Sequence, residues 1–301
     1  MAIFRRLGFA TDYLQCALKG APTMAPGDID SRMVQLENGN IRIHVSGTGR
    51  QTVLICPDGP CGLEHYREII EMLGRRYRVV AFEPPGFGYS QLSFGYDHSL
   101  RAGAEMIENI MDATQTKSAI LSLPCVAGFM ALDFAFRRPE RVDGLVSVQT
   151  PSWDDFQNWV DVIDSKGLGR TPVLGQLLFW ATSQKVQSKW YAAAEPHRKR
   201  RQEIVDVHSG RNQKECVFCF SSTIQALSGP DPFEGRVLQK PSAILWGDKD
   251  RTHKLTSQFS MRQYLSDPHC VTVPGAGHFP EMTAPQALVG AIDSVAGCAT
   301  G

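Results

Sequence analysis

The chain of 301 residues lacks surplus charge, long apolar runs and a cysteine density that would suggest disulfides. Its 31 basic residues are matched by 31 acidic ones. Such a balance offers no general field for nucleic acid or an anionic membrane face, so the expected partner is a small, mostly uncharged molecule. The longest uninterrupted apolar stretches fall far short of the ~20 residues of a membrane span, and no integral membrane segment is expected. The first residues carry Arg5 and Arg6, but Asp12 and Gln15 interrupt any apolar core that a signal peptide would need. Residues 1–30 therefore read as an N-terminal helix or frayed arm. The 8 cysteines are scattered, several of them inside apolar strand-like runs, which points to a reducing, cytoplasmic setting. Cys216-Val-Phe-Cys219 is a C-x-x-C with no second pair and no nearby histidine cluster, so it reads as packed thiols. No metal and no cofactor are expected. No internal repeat or low-complexity tract is present.

What the chain does contain is strands and helices in alternation. With 43% hydrophobic residues, its length is enough to bury a large core in one domain carrying an inserted subdomain. Met33–Leu36 and Ile41–Val45 alternate like strands around Asn38-Gly39, a strong hairpin signal. Short apolar strand-like runs follow at Thr52–Cys56, Arg78–Phe82, Ala119–Leu123, Leu145–Gln149, Pro241–Trp246 and Cys270–Val273, most of them separated by segments with helical spacing. This pattern predicts an α/β fold: a mostly parallel, doubly wound sheet entered by an antiparallel hairpin. Between 152 and 234 the strand rhythm stops. Trp153, Phe156, Trp159, Trp180 and Trp190 lie among aliphatic residues there, and the stretch reads as a helical cap inserted into a core made of 31–151 and 235–301. The run His197–Arg201 reads as a solvated helix face.

Ligands of such sheets sit beyond the carboxyl ends of the strands, and three reactive residue types fall there. Cys125 follows the strand-like run ending at Pro124 and opens the helix that begins at Val126, so it occupies a sharp strand-to-helix corner. Asp250 and His278 follow the later runs, in Gly-Asp-Lys-Asp250 and Pro-Gly-Ala-Gly-His278. A thiol at a corner, a histidine to move its proton and a carboxylate to orient the ring make a nucleophilic constellation. The histidine and the helix N-terminus would both favour the thiolate. Asp248 competes with Asp250 for the acid's place. The other histidines, His253 among them, show no pairing in the sequence and read as structural or surface residues.

With these residues in view the sequence resembles the α/β-hydrolase fold family. The resemblance runs from about Met33 to the last helix and is carried by Asn38–His44, Pro57–Gly62, Pro85–Ser90, the Cys125 corner with Arg138–Val142, and Trp246–Asp250 with Gly275–His278. It implies a Cys125–His278–Asp250 triad, with a cysteine where the family's G-x-S-x-G elbow has serine. Both flanking glycines are replaced, by Leu123 and Ala127. The family's H-G-G-P-G-like turn corresponds to Pro57-Asp-Gly-Pro-Cys61, which makes Gly59 and Val126 the N–H donors for an oxyanion. A shifted register would instead put Pro60, which has no N–H, in that position. The cap resembles the lid of the haloalkane dehalogenase and epoxide hydrolase branch, whose elbow residue is an aspartate. The resemblance therefore implies attack by Cys125 on an ester, thioester or lactone carbonyl of a hydrophobic small molecule, with hydrolysis or acyl transfer as the outcome. Two other readings stay open: a ligand-binding pseudoenzyme, and a cyclase or lyase using His278 and Asp250 without a covalent step.

Overall fold

A computed structural model describes residues 2–20, 22–23, 27–210 and 217–299. Helix α1 (Ala2–Lys19) precedes strands β1 (Arg32–Leu36) and β2 (Gly39–Ser46), which pair antiparallel with Leu36 opposite Gly39. Gly39 has φ +147°, and a Cβ there would overlap the Gln91 carbonyl, so the hairpin requires glycine. Next come β3 (Thr52–Ile55), α2 (Arg67–Gly74), β4 (Arg78–Phe82), the two-residue β5 (Phe87–Gly88) and β6 (Gln91–Leu92), α3 (Leu100–Ala113), β7 (Ala119–Ser122), α4 (Val126–Arg137) and β8 (Val142–Val148). The chain closes with β10 (Ser242–Gly247), β11 (His269–Val273), α9 (Pro280–Thr283) and α10 (Pro285–Ala299).

The main sheet runs β1-β2-β4-β3-β7-β8-β10-β11, with β6 beside β2. From β4 through β11 all neighbours are parallel. The inner strands β3, β7 and β10, covered on both faces, bury every side chain, which is why they read as continuous apolar runs. Leu54, Phe82 and Leu121 pack on one face with Met106, Ile107 and Phe129 from α3 and α4. Val53, Ala81 and Ile120 pack on the other with Ile69, Leu73 and Ile292 from α2 and α10. Ser99 caps α3, its hydroxyl accepting from Ala102 N at 3.1 Å.

Between β8 and β10 lie helices α5 (Trp153–Ile163), α6 (Leu174–Ala194), α7 (Arg198–Gly210) and α8 (Phe220–Ala226). This stretch also holds β9 (Val217–Phe218), which pairs antiparallel with β5 and ties the insertion to the Pro84–Ser90 turn. The sequence reading expected no strand there, because a two-residue ribbon is too short to show a period. Cys216 of the C-x-x-C lies outside the described residues. Helix α1 docks on α6 and α8 with an unusual polarity: it buries Asp12, Gln15 and Cys16 while Ile3, Phe4, Leu7, Leu14 and Leu18 face outward. Among the described residues no helix is long and apolar enough to cross a membrane.

Two buried ion pairs on Arg42 fix the loops below the site. Arg42 on β2 is fully buried, 2.5 Å from Glu64 and 3.2 Å from Glu83. Glu83 also accepts from Leu63 N at 3.0 Å and Tyr89 N at 2.6 Å. The segment after β3 and the turn after β4 are thus held to the same carboxylate.

Candidate active site

Cys125 sits between β7 and α4 with φ +48° and ψ −123°. That left-handed backbone is strained for any side chain but glycine, at a cost of order 1–3 kcal/mol. It is held by Cys125 N donating to Val148 O at 2.9 Å and by the Thr150 hydroxyl donating to Cys125 O at 2.9 Å. A Cβ on Gly128 would overlap Thr150 Oγ1, so the close helix–strand approach at this corner falls on Gly128, one residue after Ala127.

His278, in the loop after β11, is fully buried. Its Nδ1 lies 2.7 Å from Asp250 Oδ2. The same oxygen accepts from Gln149 Nε2 at 2.8 Å, while Asp250 Oδ1 accepts from Thr252 N and Thr252 Oγ1, both at 2.7 Å. Burial works to raise the Asp250 pKa, but His278 and these donors outweigh it and hold the carboxyl well below the usual range. Asp248 turns away to accept from Gly275 N at 2.6 Å. The Cys125 sulfur and ring nitrogens of His253 and His278 all lie within 4.8 Å of one another. The Cys125 sulfur, the His278 ring and the Asp250 carboxylate thus lie at one point, and Gly59 and Val126 line the same cavity.

Two features depart from the expectation. The first is Asp58, which stands where the family turn has glycine and whose Oδ2 lies 3.0 Å from His278 Nε2. The pair is close but not aligned for a hydrogen bond, and both atoms lack another partner. Burial opposes a charge on His278, yet Asp250, the Cys125 sulfur and Asp58 together raise its pKa well above the ordinary imidazole value. The second is the thiol. Burial, and then the Asp58 charge, push Cys125 up to about 11, against the opposing pull of His278 and the Val126 N–H. The thiolate that the sequence reading favoured is thus a minor form at rest, because the corner is sealed (4% exposed) and a carboxylate already occupies the imidazole.

His253 is the other residue that the sequence did not flag. Its ring stacks on His278 at 5.1 Å and on Trp159 at 5.3 Å. Burial and the neighbouring His278 charge push it down to about 3, so it is neutral. Cys125, His253 and His278 form a donor set that could hold a thiophilic cation, which would occupy both the sulfur and the imidazole. A sequence signal existed for Asp58, a charged residue in place of a turn glycine. None existed for His253, whose ring is placed by stacking and by the 3.0 Å contact of Nδ1 with Thr256 Oγ1.

Above these groups lies a cavity of about 420 Å³, walled by apolar side chains such as Phe87, Met130, Trp159, Phe179 and Trp190. The indole nitrogens of Trp159 and Trp190 are buried without a protein partner. A cavity of this size and lining suits a small hydrophobic molecule with a few acceptor oxygens.

A doubly wound sheet with a strained strand-to-helix corner and a histidine held by a later strand's acid defines an α/β-hydrolase scaffold. Residues 51–285 match the alpha/beta hydrolase fold family, and the chain belongs to it. It is 22% identical over 212 residues to an uncharacterised hydrolase of Bacillus subtilis, covering 69% of this chain and 76% of that protein. It is 24% identical over 283 residues to haloalkane dehalogenase 2 of Mycobacterium tuberculosis, covering 87% and 93%. Among solved structures, epoxide hydrolase A of Mycobacterium thermoresistibile superposes with a TM-score of 0.74 at 13% identity, covering 90% and 99%.

Proposed function

We propose that this protein is a hydrolase or acyl-transfer enzyme that attacks an ester, thioester or lactone carbonyl of a hydrophobic small molecule through Cys125. The observation that carries this reading is a thiol on a strained elbow, within 4.8 Å of an imidazole whose far nitrogen is pinned 2.7 Å from Asp250. Its relatives named as hydrolases support hydrolysis as the broad reaction class. The unpaired cysteines among the described residues suit a cytoplasmic setting.

In the resting site the imidazole carries the proton and the thiol is neutral. Activation is a proton relay: the Asp58 carboxylate turns into line with His278 Nε2 and takes its proton, the neutral ring takes the thiol proton, and the thiolate adds to the carbonyl carbon. Asp58 is then uncharged, which removes its repulsion of the developing oxyanion. The N–H groups of Gly59 and Val126 would hold that oxyanion, each worth roughly 3 kcal/mol. His278 returns its proton to the leaving group, leaving a thioester on Cys125. Water or another nucleophile then attacks the thioester, giving its proton to the imidazole, and the thiolate set free recovers its proton from Asp58, which restores the resting site. Asp250 keeps the ring oriented throughout.

Intact mass after brief exposure to an activated ester or thioester tests this. One acyl group is expected on the native protein and none on Cys125→Ala. No adduct, or equal adducts on both proteins, would remove the covalent role. Asp58 gives weight to one alternative, acid–base catalysis of a cyclisation or elimination by the Asp58–His278 pair alone. Turnover that survives Cys125→Ala but is lost in both His278→Ala and Asp58→Asn would select it.

A further inference from the structure

A second cluster of reactive side chains lies outside the catalytic cavity, where α1 meets the cap. Asp12 and Cys16 stand one turn apart on α1 and both face inward, 2% exposed each. Cys219 comes from the residue before α8 and His98 from the residue two before α3, and both are equally buried. Single ligand atoms of Asp12, His98 and Cys219 all lie within 4.8 Å of one another, and the Cys16 thiol interacts directly with that of Cys219.

Two atoms of this cluster have no protein partner although they are sealed from solvent: Asp12 Oδ2 and His98 Nε2. An unpaired buried carboxylate oxygen and an unpaired buried imidazole nitrogen each cost about 1–3 kcal/mol. Here they share one small volume with two thiols. The four residues come from three separated parts of the chain, which the fold brings together at one point. The opposite ring nitrogen of His98 is 3.4 Å from Thr223 Oγ1, and Ser222 approaches the Asp12 carboxyl. Ligand residues of metal sites are oriented in this way by neighbouring groups.

We infer that Asp12, Cys16, His98 and Cys219 form a structural site for a thiophilic divalent cation, Zn²⁺ above all. Two sulfurs, one imidazole nitrogen and one carboxylate oxygen make the four-coordinate donor set that Zn²⁺ prefers. Bonds of about 2.0–2.3 Å give tetrahedral edges of roughly 3.3–3.8 Å, so Asp12, His98 and Cys219, within 4.8 Å of one another, must draw in by about 1 Å, and Cys16, which lies against Cys219, must swing in to complete the set. Binding replaces the two thiol protons, which leave to solvent. The ion would clip α1 to the cap and to the segment before α3. This accounts for a helix that turns its polar residues inward and leaves its aliphatic ones outside. It would also fix α8, whose Phe220 and Thr223 wall the catalytic cavity, so the site bears on the cap without entering the reaction.

The test uses the full chain, purified under reducing conditions, stripped with a strong chelator and titrated with Zn²⁺ against a chromophoric competitor. One Zn²⁺ per chain is expected, with Kd of roughly 100 nM or tighter. Affinity should be unchanged in Cys125→Ala and at least about tenfold weaker in Cys219→Ser. Loading with Co²⁺ should give thiolate-to-metal absorption in the near ultraviolet that falls by about half in Cys16→Ser. Should Cys219→Ser fail to fold, the near-isosteric Asp12→Asn carries the same expectation of weaker binding. Absence of tight binding would overturn the proposal. So would binding that is lost in Cys125→Ala yet kept in Cys219→Ser, which would move the ion to the catalytic thiol. A Cys16–Cys219 disulfide in protein isolated without added oxidant would also overturn it.

Discussion

Cys125 and Asp58 contend for the same imidazole, and the balance between them sets how reactive the thiol is. With its pKa pushed up to about 11, chiefly by burial and Asp58, only a small fraction of the sulfur is ionised at pH 7. Alkylation of Cys125 by iodoacetamide, followed by peptide mass, should therefore accelerate about tenfold per pH unit from 7 to 10. Asp58→Asn removes the charge that competes for His278. It should raise the alkylation rate at pH 7 severalfold, whereas a thiol governed by burial alone would show no change. At the other end of the ring, Asp250→Asn keeps the shape but offers Nδ1 the wrong partner, and kcat/KM should drop by roughly 10³–10⁴. These residues differ in how visible they are in sequence. Cys125, Asp250 and His278 stand at strand ends, where topology alone suggests that they meet. The Asp58–His278 contact joins positions far apart in the chain, and only the folded turn after β3 discloses it.

At the scale of elements, the site rests on loops that are themselves anchored. Arg42 draws the segment after β3 and the turn after β4 onto β2 through Glu64 and Glu83. Truncating one member of a buried, hydrogen-bonded ion pair strands the others, so Arg42→Ala should cost about 3–5 kcal/mol in urea unfolding. The strands and helices of the sheet were legible because burial on both faces writes continuous apolar runs, punctuated by glycine and proline. The β5–β9 ribbon was not, since two residues carry no period. The inward-facing polar side of α1 was not legible either, because its partners Cys219 and Ser222 lie at the start of α8, some two hundred residues away.

Across the whole molecule, Glu281 links stability to pH. It is fully buried, accepts a 2.6 Å hydrogen bond from Tyr66, and is pushed up to about 7 by burial and then by the Asp58 charge, against the pull of Tyr66. Between pH 4.5 and 7 the folded chain keeps a proton that the unfolded chain has released. Stability therefore falls through that window as pH rises, by about 3 kcal/mol from this group, and is level above it. Measured by urea unfolding at pH 5 and pH 8, Glu281→Gln should gain on the native protein by that amount as pH rises. A constant difference between the two proteins at both pH values would exclude the linkage.

The chain holds 5 tryptophans, and the indole of one, Trp190, stands edge-on to the His278 ring at 5.0 Å. A charged imidazole at that distance quenches indole emission. Any event that discharges the ring should brighten this one fluorophore, so a stopped-flow trace of intrinsic fluorescence would follow the proton during turnover without a label.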